Sequence, residues 1–293
     1  MSIHLTPLTD PGPSLSSRRL AWLAADADAV PVGSAFLRLF TDAGQEHRAE
    51  LDLRVHPAER RKGVGQRLLD AAVAAARKNG RRCIAAQARA VSPGEAFLAA
   101  QGFRKVLTLR HARLALAGLD LAALCEAVGK PRPGYRLESW RGVVPGHLAR
   151  TFAASRRAMD DMPMGQADHG TVPWDVERVR AAARLIEQRG DLLYTVVAVA
   201  TSDGSIAGFT ELVVPGTGTG DAQHYGTGVL PEHRGHGLGR WMKAESIRRV
   251  RQDHPDLDGL TTDTADSNAP MRRVNDGLGY RATHEVLVHE LAL

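Results

Sequence analysis

Arg234-Gly235-His236-Gly237-Leu238-Gly239, reached through Val229-Leu230-Pro231, is the stretch on which the fold turns, because its pattern occurs twice. Arg60-Arg61-Lys62-Gly63-Val64-Gly65 repeats Arg-x-x-Gly-x-Gly, and Val55-His56-Pro57 repeats the apolar-x-Pro lead. Downstream, Gln101-Gly102-Phe103 matches Leu278-Gly279-Tyr280. Chance supplies one such hexapeptide; two copies with matched flanks on both sides indicate two related domains. Between them, 117–134 holds a short Leu/Ala-rich piece and then Lys130-Pro131-Arg132-Pro133-Gly134, which halts regular structure. The expected layout is one domain over 1–116, a linker over 117–134 and a second domain over 135–293.

Each copy reads as strands leading into a glycine turn and a helix. Thr195 to Ala200 and Ile206 to Val214 flank Ser202-Asp203-Gly204-Ser205, a hairpin signal that the first copy repeats as Leu20 to Ala25 and Val32 to Phe40. Glu50 to Val55 alternates polar and apolar, with Gln223 to Val229 as its counterpart. After the glycines, Leu68, Leu69, Ala72, Val73 and Ala76 form one helical face, and Leu238, Trp241, Ala244, Ile247 and Val250 another. The fold class is therefore α/β, with a mixed sheet in each copy.

Composition narrows the function. Hydrophobic residues at 43% and charged residues at 24% suit a buried core, and no apolar run approaches the roughly 20 residues of a membrane helix. The first ten residues lack the pattern of a secretory signal, and Cys83 and Cys125 are too few for a disulfide framework, so a cytoplasmic setting is expected. The net charge of +5 suggests anions, yet basic and acidic residues are interspersed and aromatics are only 5%. That disfavours nucleic acid and favours a small phosphorylated ligand.

A strand ending in Arg-x-x-Gly-x-Gly and opening a helix offers several backbone N–H groups at a positive helix end, a nest suited to a pyrophosphate. Two other phosphate-binding patterns fail. A Walker loop needs Gly-Lys-Ser/Thr, and the dinucleotide fingerprint needs a third glycine where Leu68 and Met242 stand.

On these residues the sequence resembles the GCN5-related N-acetyltransferase superfamily, whose acyl-CoA motif is Arg/Gln-x-x-Gly-x-Gly/Ala. Asn268-Ala269-Pro270-Met271, Asn275 and Leu278-Gly279-Tyr280 look like its later motif, and the duplication is similar to its tandem, mycothiol synthase-like actinobacterial members. The resemblance implies transfer of acetyl from acetyl-CoA to the primary amine of a small molecule, by direct attack and without a metal. It places the cofactor on Val229, Leu230, Arg234, Gly235, His236, Gly237, Leu238, Gly239, Arg240 and Asn268. The first-copy counterparts are Val55, Arg60, Arg61, Gly63 and Gly65. Arg240 and Lys243 could reach the phosphates, and a monomer or homodimer is expected. Where several members carry a strand glutamate base, this chain has Gln223, which leaves His224 and Glu211 as candidate bases. Where many carry an acid tyrosine, it has Asn275, which could hydrogen-bond the sulfur. Tyr280 is expected in the core.

The two copies differ. Before its hairpin, the second carries two helix-like segments, Gly146 to Ala158 and Trp174 to Gly190, that the first lacks. The loop between them holds Asp160, Asp161 and Asp168 beside Met159, Met162 and Met164, a candidate pocket for a cationic amine. The second copy is thus expected to be catalytic and the first a degenerate partner. A protein N-terminus or lysine is the alternative acceptor, and a non-catalytic acyl-CoA-binding protein is the rival class.

Overall fold

The computed structural model describes residues 3–8, 16–163, 165 and 173–293. Met164 and Asp168 of the acceptor loop lie outside these. The chain forms two compact units that are not consecutive segments: the first takes the described residues up to Thr108 together with Glu285–Leu293, and the second takes Leu109–Pro163 and Pro173–His284.

In the first unit, β1 (His4–Leu8), β2 (Ser17–Ala25), β3 (Pro31–Phe40) and β4 (Arg48–Val55) are antiparallel neighbours. β4 leads through the first glycine turn into α1 (Val64–Lys78), and then come β5 (Cys83–Arg89) and α2 (Pro93–Ala100). α1 buries Val64, Leu68, Leu69, Ala72 and Ala76, the face expected from their spacing. It ends where Asn79 caps it and Gly80 takes φ +70°. β3 alternates, with Ala35, Leu37 and Leu39 buried and Phe36 outward, 45% exposed. One face of this sheet packs on α1.

The second unit begins within β6 (Arg104–Ala115), followed by α3 (Leu121–Gly129), β7 (Tyr135–Arg141), α4 (Ala149–Ser155) and α5 (Val176–Gln188). Next come the β8 (Leu192–Ala200) and β9 (Ile206–Val214) hairpin, β10 (Gly220–Val229), α6 (Leu238–Asp253), β11 (Leu257–Ala265), α7 (Ala269–Gly277) and β12 (Arg281–Ala292). Its strands run β6-β11-β10-β9-β8-β7. β9 is buried at every position because α6 covers one face and α4 the other. The two extra helical segments are thus real elements, and they give this sheet a second covered face.

Two features depart from chain-order reading. The expected linker contains α3, capped by Asp120 and anchored in the second unit by buried Leu124 and by Trp241, whose indole Nε1 donates to the Val128 carbonyl at 2.8 Å. The prolines do stop structure, but only after a helix whose apolar face had a partner to cover. The final strand also crosses over. β12 pairs with β5, from Val286↔Arg89 to Ala292↔Cys83, while β6 pairs with β11, from Leu109↔Ala265 to Ala115↔Gly259. Among the described residues, no helix is long and apolar enough to cross a membrane.

Matching glycines set the helix-to-sheet distance in both units. A Cβ on Gly208 would lie 2.8 Å from the Gly228 carbonyl oxygen and 3.0 Å from Met242 Cε; on Gly33 it would lie 2.7 Å from the Arg54 carbonyl oxygen and 3.1 Å from Leu68. Gly208→Ala is therefore expected to lower the unfolding free energy by about 1–3 kcal/mol, read as a lower urea midpoint. Gly146→Ala, with open space at the same position, should leave the midpoint in place.

Candidate active site

The site starts from a failure of strand pairing. β10 pairs with parallel β11 only from Gly220↔Leu257 to Gln223↔Thr261, whereas its pairing with β9 continues to Val229↔Gly208. β11 meanwhile follows β6 to Ala265. The two parallel strands part beyond Gln223, leaving a wedge in which the β11-side edge of β10 has no strand partner among the described residues. The register of β10 against β9 also shifts between His224 and Gly226, so Tyr225 is an inserted residue, 48% exposed. β4 and β5 part similarly after Leu51↔Ala86, but β4 has an unbroken register with β3.

The glycine turn closes the wide end of the wedge. Gly235 and Gly237 take φ +85° and +72°, and Gly237 caps α6 without any side-chain cap bond, so the first N–H groups of the helix point outward. The first copy keeps this path with Gly63 at φ +84°, but holds Arg61 at φ +64° where the second has glycine. Each arginine ties its turn to the strand: Arg234 Nε donates to the Val229 carbonyl at 3.0 Å, and Arg60 Nε to that of Val55 at 3.4 Å. Arg234 also grips Asp161 with two bonds of 2.6 and 2.7 Å, which lowers the Asp161 pKa. Asp161 is therefore a brace for the turn and not a free carboxylate in the acceptor loop.

The other expected cofactor contacts fall as follows. Leu230 is buried, and its N–H donates to the Ala207 carbonyl. The His236 ring contacts the His233 carbonyl, and His233 meets the Tyr135 hydroxyl at 3.0 Å. Arg240 donates to the Gly277 carbonyl, and Asn268 caps α7 by accepting from the Met271 N–H at 3.1 Å. Leu238 is in the core, while Gly239 has only Val229 near its Cβ position, at 3.9 Å. Gly65 instead faces the Phe97 ring of α2 at 3.3 Å, with Val55 at 3.6 Å. An aromatic ring thus packs against Gly65, whereas among the described residues none lies within 4 Å of the Gly239 Cβ position.

The three candidate proton-transfer residues do not converge. His224 is buried on the α6 face, near the Tyr280 ring, and neither ring nitrogen has a hydrogen-bond partner among the described residues. Burial first, and then the Lys243 charge, push its pKa well below the usual range, so it is neutral. Asn275 is on the same face with both ends of its amide engaged. It accepts from Lys243 Nζ at 2.8 Å and donates to Thr264 Oγ1 at 3.1 Å. Lys243 is thus turned inward, away from any phosphate, with Nζ 4.9 Å from the centre of the Tyr280 ring. Burial lowers its pKa to about 7, against a partial opposing pull from Asp263. Tyr280 is in the core as expected, its hydroxyl raised by burial alone.

Glu211 lies on the opposite face, toward α4. It accepts from Arg156 Nη1 at 2.7 Å, both side chains being 11% exposed. The Arg156 guanidinium lies 4.3 Å from the Trp174 ring centre and 4.7 Å from that of Phe209. Thr195, directly opposite Glu211 on β8, has a buried hydroxyl without a partner among the described residues. Nearby, Gly228 admits the 3₁₀ turn Arg156–Met159: a Cβ there would lie 2.9 Å from the Ala158 Cβ. Arg156 escaped the sequence reading, and the inward turn of Lys243 toward Asn275 did too, because only packing reveals their partners. Among the described residues, no group of three or more His, Cys, Asp or Glu could hold a metal.

Comparison with known proteins follows this geometry. The acetyltransferase (GNAT) family model matches residues 7–103 and 159–280, once on each copy. Mycothiol acetyltransferase of Thermobifida fusca is 31% identical over 244 residues, covering 79% of this chain and 70% of its own. That of Stackebrandtia nassauensis is 29% identical over 269 residues, covering 90% and 80%. Among solved structures, a tandem GNAT protein from the clavulanic acid biosynthesis pathway superposes with a TM-score of 0.80 at 23% identity, covering 99% of this chain and 98% of its own. A GCN5-related N-acetyltransferase from Sphaerobacter thermophilus gives 0.65 at 17%, covering 93% and 80%. These structures share the fold.

Lys243 makes a testable contribution to stability. Its folded pKa of about 7 lies below the value of 10.5 for a free lysine, so the penalty of burying the charge is fully present below pH 7. It fades as pH rises toward the unfolded value. Lys243→Met should therefore compare best with the parent at pH 6, and this relative advantage should shrink by pH 9.5 in thermal melts at both values.

Proposed function

Because this chain belongs to the acetyltransferase (GNAT) family, we propose that it moves acetyl from acetyl-CoA to the primary amine of a small molecule, using the site in its second copy. The observation that carries this reading is the wedge between β10 and β11, ending at the uncapped glycine N-terminus of α6. The turn suits a diphosphate: Gly235 has open space where a Cβ would sit, and Gly237 has only the Arg132 guanidinium, at 3.8 Å. The freed edge of β10 beyond Gln223 can take an extended chain of amides by adding hydrogen bonds along the strand.

Acetyl-CoA supplies the acetyl group as an activated thioester. The protein positions an amine beside it, and bringing the two together accounts for much of the rate. The amine must lose a proton, and we assign its reception to the face bearing Glu211, where Thr195 and Arg156 converge and where the second copy has its extra helical segments. Arg156 fixes the Glu211 carboxylate in place, donating to it at 2.7 Å. His224 is a poorer choice, being enclosed on the other face. Asn275 serves the site through its bonds to Lys243 and Thr264, holding α7 beside β11.

The printed name of the two relatives, mycothiol acetyltransferase, makes small-molecule amines the first acceptors to test. We assign catalysis to the second domain, 135–293, and a structural role to the first, supported by Phe97 over its turn and by Arg61 in place of a glycine. A second reading, acyl-CoA binding without transfer, draws on Gln223 at the base position and on the engaged Asn275 amide.

Turnover assays separate these readings. CoA release is followed with a thiol reagent over a panel of amines, alongside acetyl-CoA binding by calorimetry. Gly237→Ala should lower kcat/KM about 10- to 100-fold, because alanine at positive φ costs of order 1–3 kcal/mol and displaces the turn. Gly63→Ala should lower Tm while keeping kcat/KM within about twofold. Equal loss from both variants with folding intact would sink the assignment to the second domain. Tight binding with no amine-dependent release from the parent would favour the binder. Glu211→Gln should cut kcat by about 10²-fold or more while leaving acetyl-CoA affinity unchanged, the usual weight of a general base.

A further inference from the structure

Away from the wedge, the layer between α6 and the edge of the second sheet is incomplete. α6 packs its first turns on Val196 and Ala198 and its later ones on Leu212 and Val214. Between these two apolar clusters lies a cavity of about 240 Å³ lined by Ser139, Arg141, Tyr194, Ser246, Arg249 and Asp253, with Val196 and parts of Trp140 and Thr195. The geometry is orderly. Ser139↔Val196 and Arg141↔Tyr194 are directly opposite pairs on β7 and β8, so their side chains share the face toward α6. Ser246, Arg249 and Asp253 follow a helical spacing that brings them onto one stripe of α6.

Its chemistry is unlike that of a packing defect. A defect left by small residues is apolar, whereas this one is lined on three elements by polar groups. The Ser246 side chain is 1% exposed, and its hydroxyl has no hydrogen-bond partner among the described residues, an arrangement that costs about 1–3 kcal/mol unless a partner arrives. At the mouth the charges are of both signs. Arg141 and Asp253 both act on the Tyr194 phenol, which also meets His254 Nε2 at 2.8 Å, and Arg249 uses its Nε on Glu245. The volume is below the roughly 300–1,000 Å³ of sites for drug-sized ligands.

We propose that this cavity is a second binding site, separate from the acyl-transfer wedge, for a zwitterion of amino-acid size. Its carboxylate would lie on Arg141 and Arg249, its ammonium on Asp253, and its polar side chain against the Ser246 hydroxyl. The opposed charges exclude a plain anion or a plain amine, since either would leave one mouth charge facing a like charge.

The test is calorimetric titration of the full chain, saturated with acetyl-CoA, with L-alanine, L-serine, L-glutamate and L-arginine, and with acetate and ethylamine as single-charge controls. At least one amino acid should bind with acetate and ethylamine at least tenfold weaker. Arg141→Gln and Asp253→Asn, both at the exposed mouth, should each weaken that binding about tenfold or more, the loss of one charged hydrogen bond. Ser246→Ala should weaken L-serine more than L-alanine. The proposal is overturned if no amino acid binds the folded protein at 10 mM or if the controls bind equally well. It is also overturned if affinity is unchanged in both charge variants.

Discussion

A parallel pair of strands that stops pairing halfway is the constraint from which the rest of this structure follows. Backbone N–H and C=O groups inside a fold must find partners, yet β10 continues beyond Gln223 with one edge turned away from any strand. Every neighbour is arranged to hold that edge open without letting it collapse. The bulge at Tyr225 bends the strand, Gly228 lets the Arg156–Met159 turn come close on one face, and Gly208 lets α6 come close on the other. Arg234 then locks the strand end to the turn, and Asp161 locks Arg234.

The same plan is executed twice with different outcomes. In the first unit β3 alternates buried and outward residues, and Phe97 packs against the turn. In the second, α4 and the 3₁₀ turn add a layer, and buried ion pairs such as Arg156–Glu211 appear within it. Charges enter a core only with partners, and the extra layer supplies Arg156 as the partner of Glu211. The difference in length between the copies is what covers the second face of β9 and brings charged side chains into it.

What was legible in the sequence was local. The glycines of both turns, the apolar stripe of α1, the Asp203 hairpin and the place of Tyr280 follow from spacing and backbone freedom, which neighbours in the chain determine. What was not legible depended on distant partners. Lys243, read as able to reach a phosphate, points inward to Asn275, and Asp161, read as part of an acceptor pocket, braces Arg234. The proline-rich boundary was visible, but α3 before it was not assigned to the second unit, because only Trp241 and Leu124 show where it docks.

The crossing of β12 onto β5 and of β6 onto β11 has a consequence for how the molecule comes into being. During synthesis the first unit lacks β12 until the second unit has been made, so the free edge of β5 waits for all that time. Cutting the chain between the repeats would therefore not separate the two units. Each half would carry away a strand that pairs within the other unit.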